Sequence, residues 1–165
     1  MTVKKNEFNG NTMKLEYNRK KHLQFMKENA DHYFFNEEYK NALKKYEEIL
    51  KISPRDAQTW HNHGAALFAL SEYASAISSF NKSLKIKLAA STLLMKATAL
   101  ENIGNAMDAI VCYDAALSIK TTDQELSNAI SNSRKRLIEK LSIEEKIFYY
   151  RKYFDNSVCI ERDTD

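Results

Sequence analysis

The sequence predicts an all-α fold built from stacked helix pairs, and three observations carry that expectation. Three glycines and one proline in 165 residues are too few for a β-rich chain, which needs frequent Gly and Pro turns. Residues 36–52 (NEEYKNALKKYEEILKI), 71–86 (SEYASAISSFNKSLKI) and 103–119 (IGNAMDAIVCYDAALSI) align at spacings of 34 and 33 residues. In each, a small residue (Ala42, Ala76, Ala109) precedes an aromatic (Tyr46, Phe80, Tyr113) and then a leucine (Leu50, Leu84, Leu117) at four-residue steps, which is one face of an amphipathic helix.

The elements follow in order. Residues 1–12 are polar and are expected to form a flexible tail, and residues 13–35 a long first helix that begins before the repeat proper. Twelve residues before each recurring alanine stands another small residue, Ala30, Gly64 or Ala97, with Tyr33, Leu67 or Leu100 three positions on. A second helix therefore precedes each of the three, and small residues at matched places let the two helices approach closely. The units span about 23–56, 57–89 and 90–122. Thr122 and Glu125 then fit a capping box for a helix to residue 141, with Leu126, Ala129, Ile130, Leu137 and Leu141 on its apolar stripe. A helix stack needs such a terminal cap with a polar outer face. Ser142 and Glu145 start a last helix, 142–154, in which Ile143, Ile147, Tyr150 and Phe154 share a face while Phe148, Tyr149 and Tyr153 lie elsewhere. That helix either packs back on the stack or offers Phe148, Tyr149 and Tyr153 to a partner or a second copy. Residues 155–165 are expected to fray.

The pattern resembles the tetratricopeptide repeat family, W-x2-L-G-x2-Y…A-x3-F…P. The second unit matches with Trp60, Gly64, Ala76 and Phe80, with His63 and Leu67 in place of the usual leucine and tyrosine. The first matches with Ala30, Tyr33, Ala42, Tyr46 and Pro54, and the third with Leu93, Ala97, Leu100, Gly104, Ala109 and Tyr113. The resemblance implies a tetratricopeptide-like α-solenoid, a right-handed superhelix of antiparallel helix pairs. It also implies a concave groove lined by the first helix of each pair. Its positions would be Gln24, Lys27, Glu28, Asp31, Phe34 and Phe35, then Gln58, His61, Asn62, Ala65, Phe68 and Ala69, then Ser91, Leu94, Met95, Thr98, Glu101 and Asn102. The strongest candidates for peptide contact are Lys27, Asp31, Phe34, His61, Asn62, Phe68, Leu94 and Met95. One subclass of the family clamps the C-terminal carboxylates of chaperones with basic and amide groups. Of the corresponding residues here (Lys27, Asp31, Asn62, Ser91, Met95) only Lys27 and Asn62 fit, and Asp31 would repel a carboxylate.

Other functions are disfavoured. Trp60 and Gly64 read as packing residues, and His61 and His63 stand about 200° apart around a helix axis, unlike the i, i+4 spacing of helical metal ligands. No Gly-rich phosphate loop, nucleophile–base pair or metal-ligand cluster is apparent, so no enzyme, metal or cofactor is expected. Cys112 and Cys159 do not make a disulfide framework and read as reduced thiols. There is no apolar leader and no apolar run of transmembrane length, which points to a cytoplasmic protein without membrane attachment. The competing reading is a binder of nucleic acid or acidic surfaces. Residues 1–22 carry six Lys/Arg against two Asp/Glu, and residues 134–152 carry seven against three, with aromatics interleaved. The whole-chain balance is only +3, so a protein or peptide partner, and an adaptor or scaffold role, is the better reading.

Overall fold

A computed structural model describes the backbone of residues 3–158 and the side chains of residues 13–152. The described residues form eight helices and no strand: α1 (Val3–Phe35), α2 (Tyr39–Ile52), α3 (Ala57–Ala69), α4 (Tyr73–Ile86), α5 (Ala90–Asn102), α6 (Ala106–Ser118), α7 (Gln124–Lys140) and α8 (Ile143–Val158). The chain divides into two compact units, α1–α4 and α5–α8, separating after Lys87. α1 starts at Val3, where the sequence reading placed a tail to residue 12. A single glycine, Gly10, does not suffice to stop a helix.

In the first unit α1 packs on α2, α2 on α3, and α3 on α4. Ala30 and Ala42, both fully buried, meet in a core with Tyr46, Ile49 and Ala66, against which Leu23, Met26, Tyr33, Phe34 and Leu43 pack. Burying a side chain such as Ile49 contributes about 1.5–3 kcal/mol. α2 ends where Pro54 restricts Ser53, whose φ of −132° and ψ of 73° are not helical. α3 then starts on the side chain of Asp56, which accepts from the amides of Gln58 (3.1 Å) and Thr59 (3.3 Å). The Lys27 ammonium, from α1, also pairs with Asp56. Burial alone would raise the Asp56 carboxyl, but Lys27 and the Thr59 amide hold it below the usual range. Between α3 and α4 the sequence reading set Gly64 against Ala76. Ala76 is fully buried, yet the atoms nearest a Cβ built on Gly64 all belong to the Phe80 ring, the first at 2.6 Å. Glycine is there to admit that aromatic edge.

In the second unit α5 packs on α6, and α7 packs on both. Ala97 and Ala109 are fully buried, with Ile110, Tyr113, Ile130 and Leu137 also in the interior. Leu141 is buried too, but Ala129, placed on the same stripe, is exposed. α7 is capped by Asp123, whose carboxylate accepts from the Leu126 amide at 2.9 Å; Thr122, expected in that role, lies one residue outside the cap. The expected box on α8 is present in full. Ser142 Oγ accepts from the Glu145 amide (3.1 Å) and Glu145 accepts from the Ser142 amide (2.8 Å).

The first helix of every pair ends alike. Glu37, Ser71 and Gly104 have φ of 61°, 63° and 78°, and they stand 34 and 33 residues apart. The amides of each and of its successor bond back to carbonyls three and five residues earlier, Glu37 to Phe34 and Glu38 to Tyr33 in the first case. This is the Schellman closure, which satisfies the last carbonyls of a helix.

Candidate functional site

α1 presents Asp31, Phe34 and Phe35, and α3 presents Gln58, His61, Asn62 and Ala65, each set at the spacing of one helical face. With Tyr46 of α2 they line a cavity of about 300 Å³. Its floor is a polar chain. Gln58 Nε2 donates to Asn62 Oδ1 (2.8 Å), Asn62 Nδ2 donates to Asp31 Oδ1 (3.0 Å), and the Tyr46 hydroxyl donates to the same Asp31 oxygen (2.7 Å). Burial and the Asp31 carboxylate raise the Tyr46 hydroxyl pKa, so it stays a donor. The rim is aromatic. Phe35 is 81% exposed and meets Phe34 edge-on at 6.1 Å, and Phe34 meets Tyr39 at 5.4 Å. The His61 ring lies 5.9 Å from that of Phe80, and burial lowers its pKa.

The other candidates are placed differently. Lys27 spends its ammonium on Asp56 and does not line the cavity. Phe68 is half-buried, edge-on to Tyr73 at 5.2 Å. Leu94 and Met95 are half-buried in the second unit. On α8, Phe148 is 58% exposed, but Tyr149 is only 2% exposed. Its hydroxyl bonds to Asp114 and is reached by Arg134 Nη2 at 3.3 Å. Tyr149 is therefore a packing residue, not a docking one, its buried hydroxyl satisfied within the chain as buried tyrosines usually are. Tyr153 lies outside the described side chains, as does Cys159. Cys112 is a free, buried thiol whose pKa burial pushes up.

Two residues escaped the sequence reading. Tyr46 was read as core, yet its hydroxyl reaches the cavity floor. Its signal was a spacing of fifteen residues: Tyr46 pairs with Asp31, whereas in the second unit the same offset joins Phe80, without a hydroxyl, to Ala65, without a carboxylate. Trp60, read as packing, also binds. Its Nε1 donates to the Pro54 carbonyl (3.0 Å), Lys82 Nζ sits 4.2 Å over its ring, and His63 meets it edge-on at 5.7 Å. His63 in turn bonds to Ser79 Oγ at 3.0 Å. His61 and His63 thus serve different sides of α3. Among the described residues no group of three or more His, Cys, Asp or Glu is placed to hold a metal ion, and no helix is long and apolar enough to cross a membrane.

Residues 57–89, which span α3 and α4, match the tetratricopeptide repeat family model. Those residues form a tetratricopeptide repeat, and the described helices have a tetratricopeptide-like repeat fold. No curated protein matches the sequence. Solved tetratricopeptide-like structures share its fold at low identity. The Yersinia enterocolitica type III secretion chaperone SycD, in complex with a peptide of the translocator YopD, is 18% identical, covers 73% of this chain and 95% of its own, and superposes with a TM-score of 0.70. PcrH in complex with the chaperone-binding region of PopD gives 13% identity, 73% and 94% coverage, and a TM-score of 0.70. The TPR2B domain of yeast Sti1, in a complex with pHsp70, gives 25% identity, 68% and 98% coverage, and a TM-score of 0.60.

Proposed function

We propose that this tetratricopeptide-repeat chain is a non-catalytic interaction module, an adaptor or scaffold that holds an extended or helical segment of another protein. The observation that carries the reading is the first-unit cavity, an aromatic rim over a fixed polar floor. Apolar anchors beside oriented polar groups give an interface affinity and direction together. The similar structures support it, since SycD, PcrH and the Sti1 domain were each solved with a peptide or protein segment. A carboxylate-terminated segment of the kind chaperones carry does not suit this cavity. Asp31 stands in it, and the two residues that would greet a carboxylate, Lys27 and Asn62, are engaged with Asp56 and Asp31.

The nucleic-acid reading loses ground for a similar reason. Arg134 pairs with Asp114, Arg136 Nη2 lies 3.2 Å from Glu101, and Arg19 donates to the Ile52 carbonyl at 3.1 Å. Guanidinium groups so engaged are poorly placed to grip phosphates.

The test is affinity capture with mass spectrometry, comparing the wild type with Phe35→Ala and Phe148→Ala, both exposed positions where truncation spares the fold. The reading expects a partner retained by wild type and Phe148→Ala and lost by Phe35→Ala. Loss only in Phe148→Ala moves the site to α8. Retention by both, with binding that collapses as salt is raised, assigns it to the basic surfaces.

A further inference from the structure

We infer that the first-unit cavity selects a segment carrying an arginine or lysine next to an apolar side chain; this deepens, and rests on, the groove reading above. Of the side chains lining the cavity, Asp31 is the one carboxylate, and none is a lysine or an arginine. None of the ion pairs found among the described residues includes it. The bonds it accepts from Tyr46 and Asn62 come from neutral donors. Lys27, one helical turn before it on α1, is committed to Asp56. The site is thus a fixed carboxylate in a recess, paired with no cation among the described residues.

The surroundings suit a long cationic side chain. Tyr46 and Asn62 hold Asp31 in one orientation, so an incoming donor meets an acceptor already fixed in place. Phe34 and Phe35 wall the approach with ring faces and edges. Arg and Lys lay their aliphatic stems along apolar surface while the charged head reaches a carboxylate, and a guanidinium also stacks on aromatic faces. Phe35, almost fully exposed at the mouth, is left for the neighbouring apolar residue of the segment. An acidic segment would meet Asp31 in a partly desolvated recess, where like charges repel most strongly.

The experiment selects peptides from a random display library on the full-length chain, keeping those whose binding is lost in Phe35→Ala. One selected peptide and its Arg→citrulline (or Lys→norleucine) counterpart are then titrated into the wild type, Asp31→Asn and Asp31→Glu. We expect selected sequences rich in Arg or Lys beside large apolar residues. Removing the positive charge weakens wild-type binding about tenfold, equivalent to about 1.4 kcal/mol. Asp31→Asn, which keeps an acceptor but not the charge, binds both peptides alike, and Asp31→Glu restores part of the difference. Peptides selected without cationic enrichment, or an equal loss on citrulline substitution in wild type and Asp31→Asn, would overturn the inference while leaving the groove reading intact. Failure to select any Phe35-dependent peptide removes both. Should Asp31→Asn unfold, the composition of the selected peptides and the wild-type citrulline comparison still decide.

Discussion

At the scale of single residues, Gly64 and Phe80 define one another. A methyl on Gly64 would stand 2.6 Å from Phe80 Cε1 and 2.8 Å from Cδ1, and Phe80 is fully buried and has nowhere to go. Gly64→Ala should therefore destabilise by about 1–3 kcal/mol through overpacking, which outweighs the advantage of Ala within a helix, about 1 kcal/mol. Chemical denaturation measures it, and in a Phe80→Leu background the penalty should largely vanish; a Gly64→Ala variant as stable as the wild type contradicts the packing. His61 and His63 supply a pH dependence. Burial lowers both pKa values; near His63, Glu47 partly opposes this and Lys82 adds to it. A base harder to protonate folded than unfolded leaves stability complete above its unfolded value, 6.5 here. Stability then declines as pH falls through that value toward the folded-state pKa, because the unfolded chain takes up protons first. The melting midpoint should fall between pH 8 and pH 5, and the slope should flatten in a His61→Gln, His63→Gln double variant. An unchanged slope would mean that these rings are not desolvated.

At the scale of helices, the termini hold both what the sequence disclosed and what it hid. The recurring Ala, aromatic and Leu positions made the helix pairs legible, because burial forces a periodicity that is visible in one dimension. The left-handed closures at Glu37, Ser71 and Gly104 were hidden, since only the third is a glycine. A non-glycine residue there costs of order 1 kcal/mol. Ser71→Gly should thus stabilise by about 0.5–1 kcal/mol and Gly104→Ala should destabilise by a similar amount. Opposite signs from the same pair of thermal melts would refute the shared closure. The α7 cap was misread for a related reason: Thr122 and Asp123 are adjacent capping residues, and composition does not say which one the chain geometry uses. Asp123→Ala should cost about 1 kcal/mol and Thr122→Ala close to nothing; the reverse ranking would restore the capping box at Thr122.

At the scale of the whole molecule, the repeat fold was legible and the candidate site only partly so. The groove positions on α1 and α3 came from the family resemblance, and of them Asp31, Phe34, His61 and Asn62 line one cavity. What one dimension conceals is where each polar group is spent. Lys27 looked like a ligand contact and is an ion-pair partner of a helix cap. Tyr149 looked like a docking aromatic and is buried under Asp114 and Arg134. Tyr46 looked like core and anchors the cavity floor. Three of the four arginines in the basic end segments, Arg19, Arg134 and Arg136, are engaged with acids or a carbonyl from elsewhere in the chain, although lysines supply most of the charge there. The central claim is that another protein's segment sits in the first-unit cavity, and amide NMR spectra of the full-length chain, isotope-labelled and titrated with the captured segment, test it most directly. The account predicts that the largest shifts fall on Asp31, Phe34, Phe35, Gln58, His61, Asn62 and Ala65, with α8 unmoved; shifts centred on Phe148 and its neighbours, with the cavity residues silent, would contradict it.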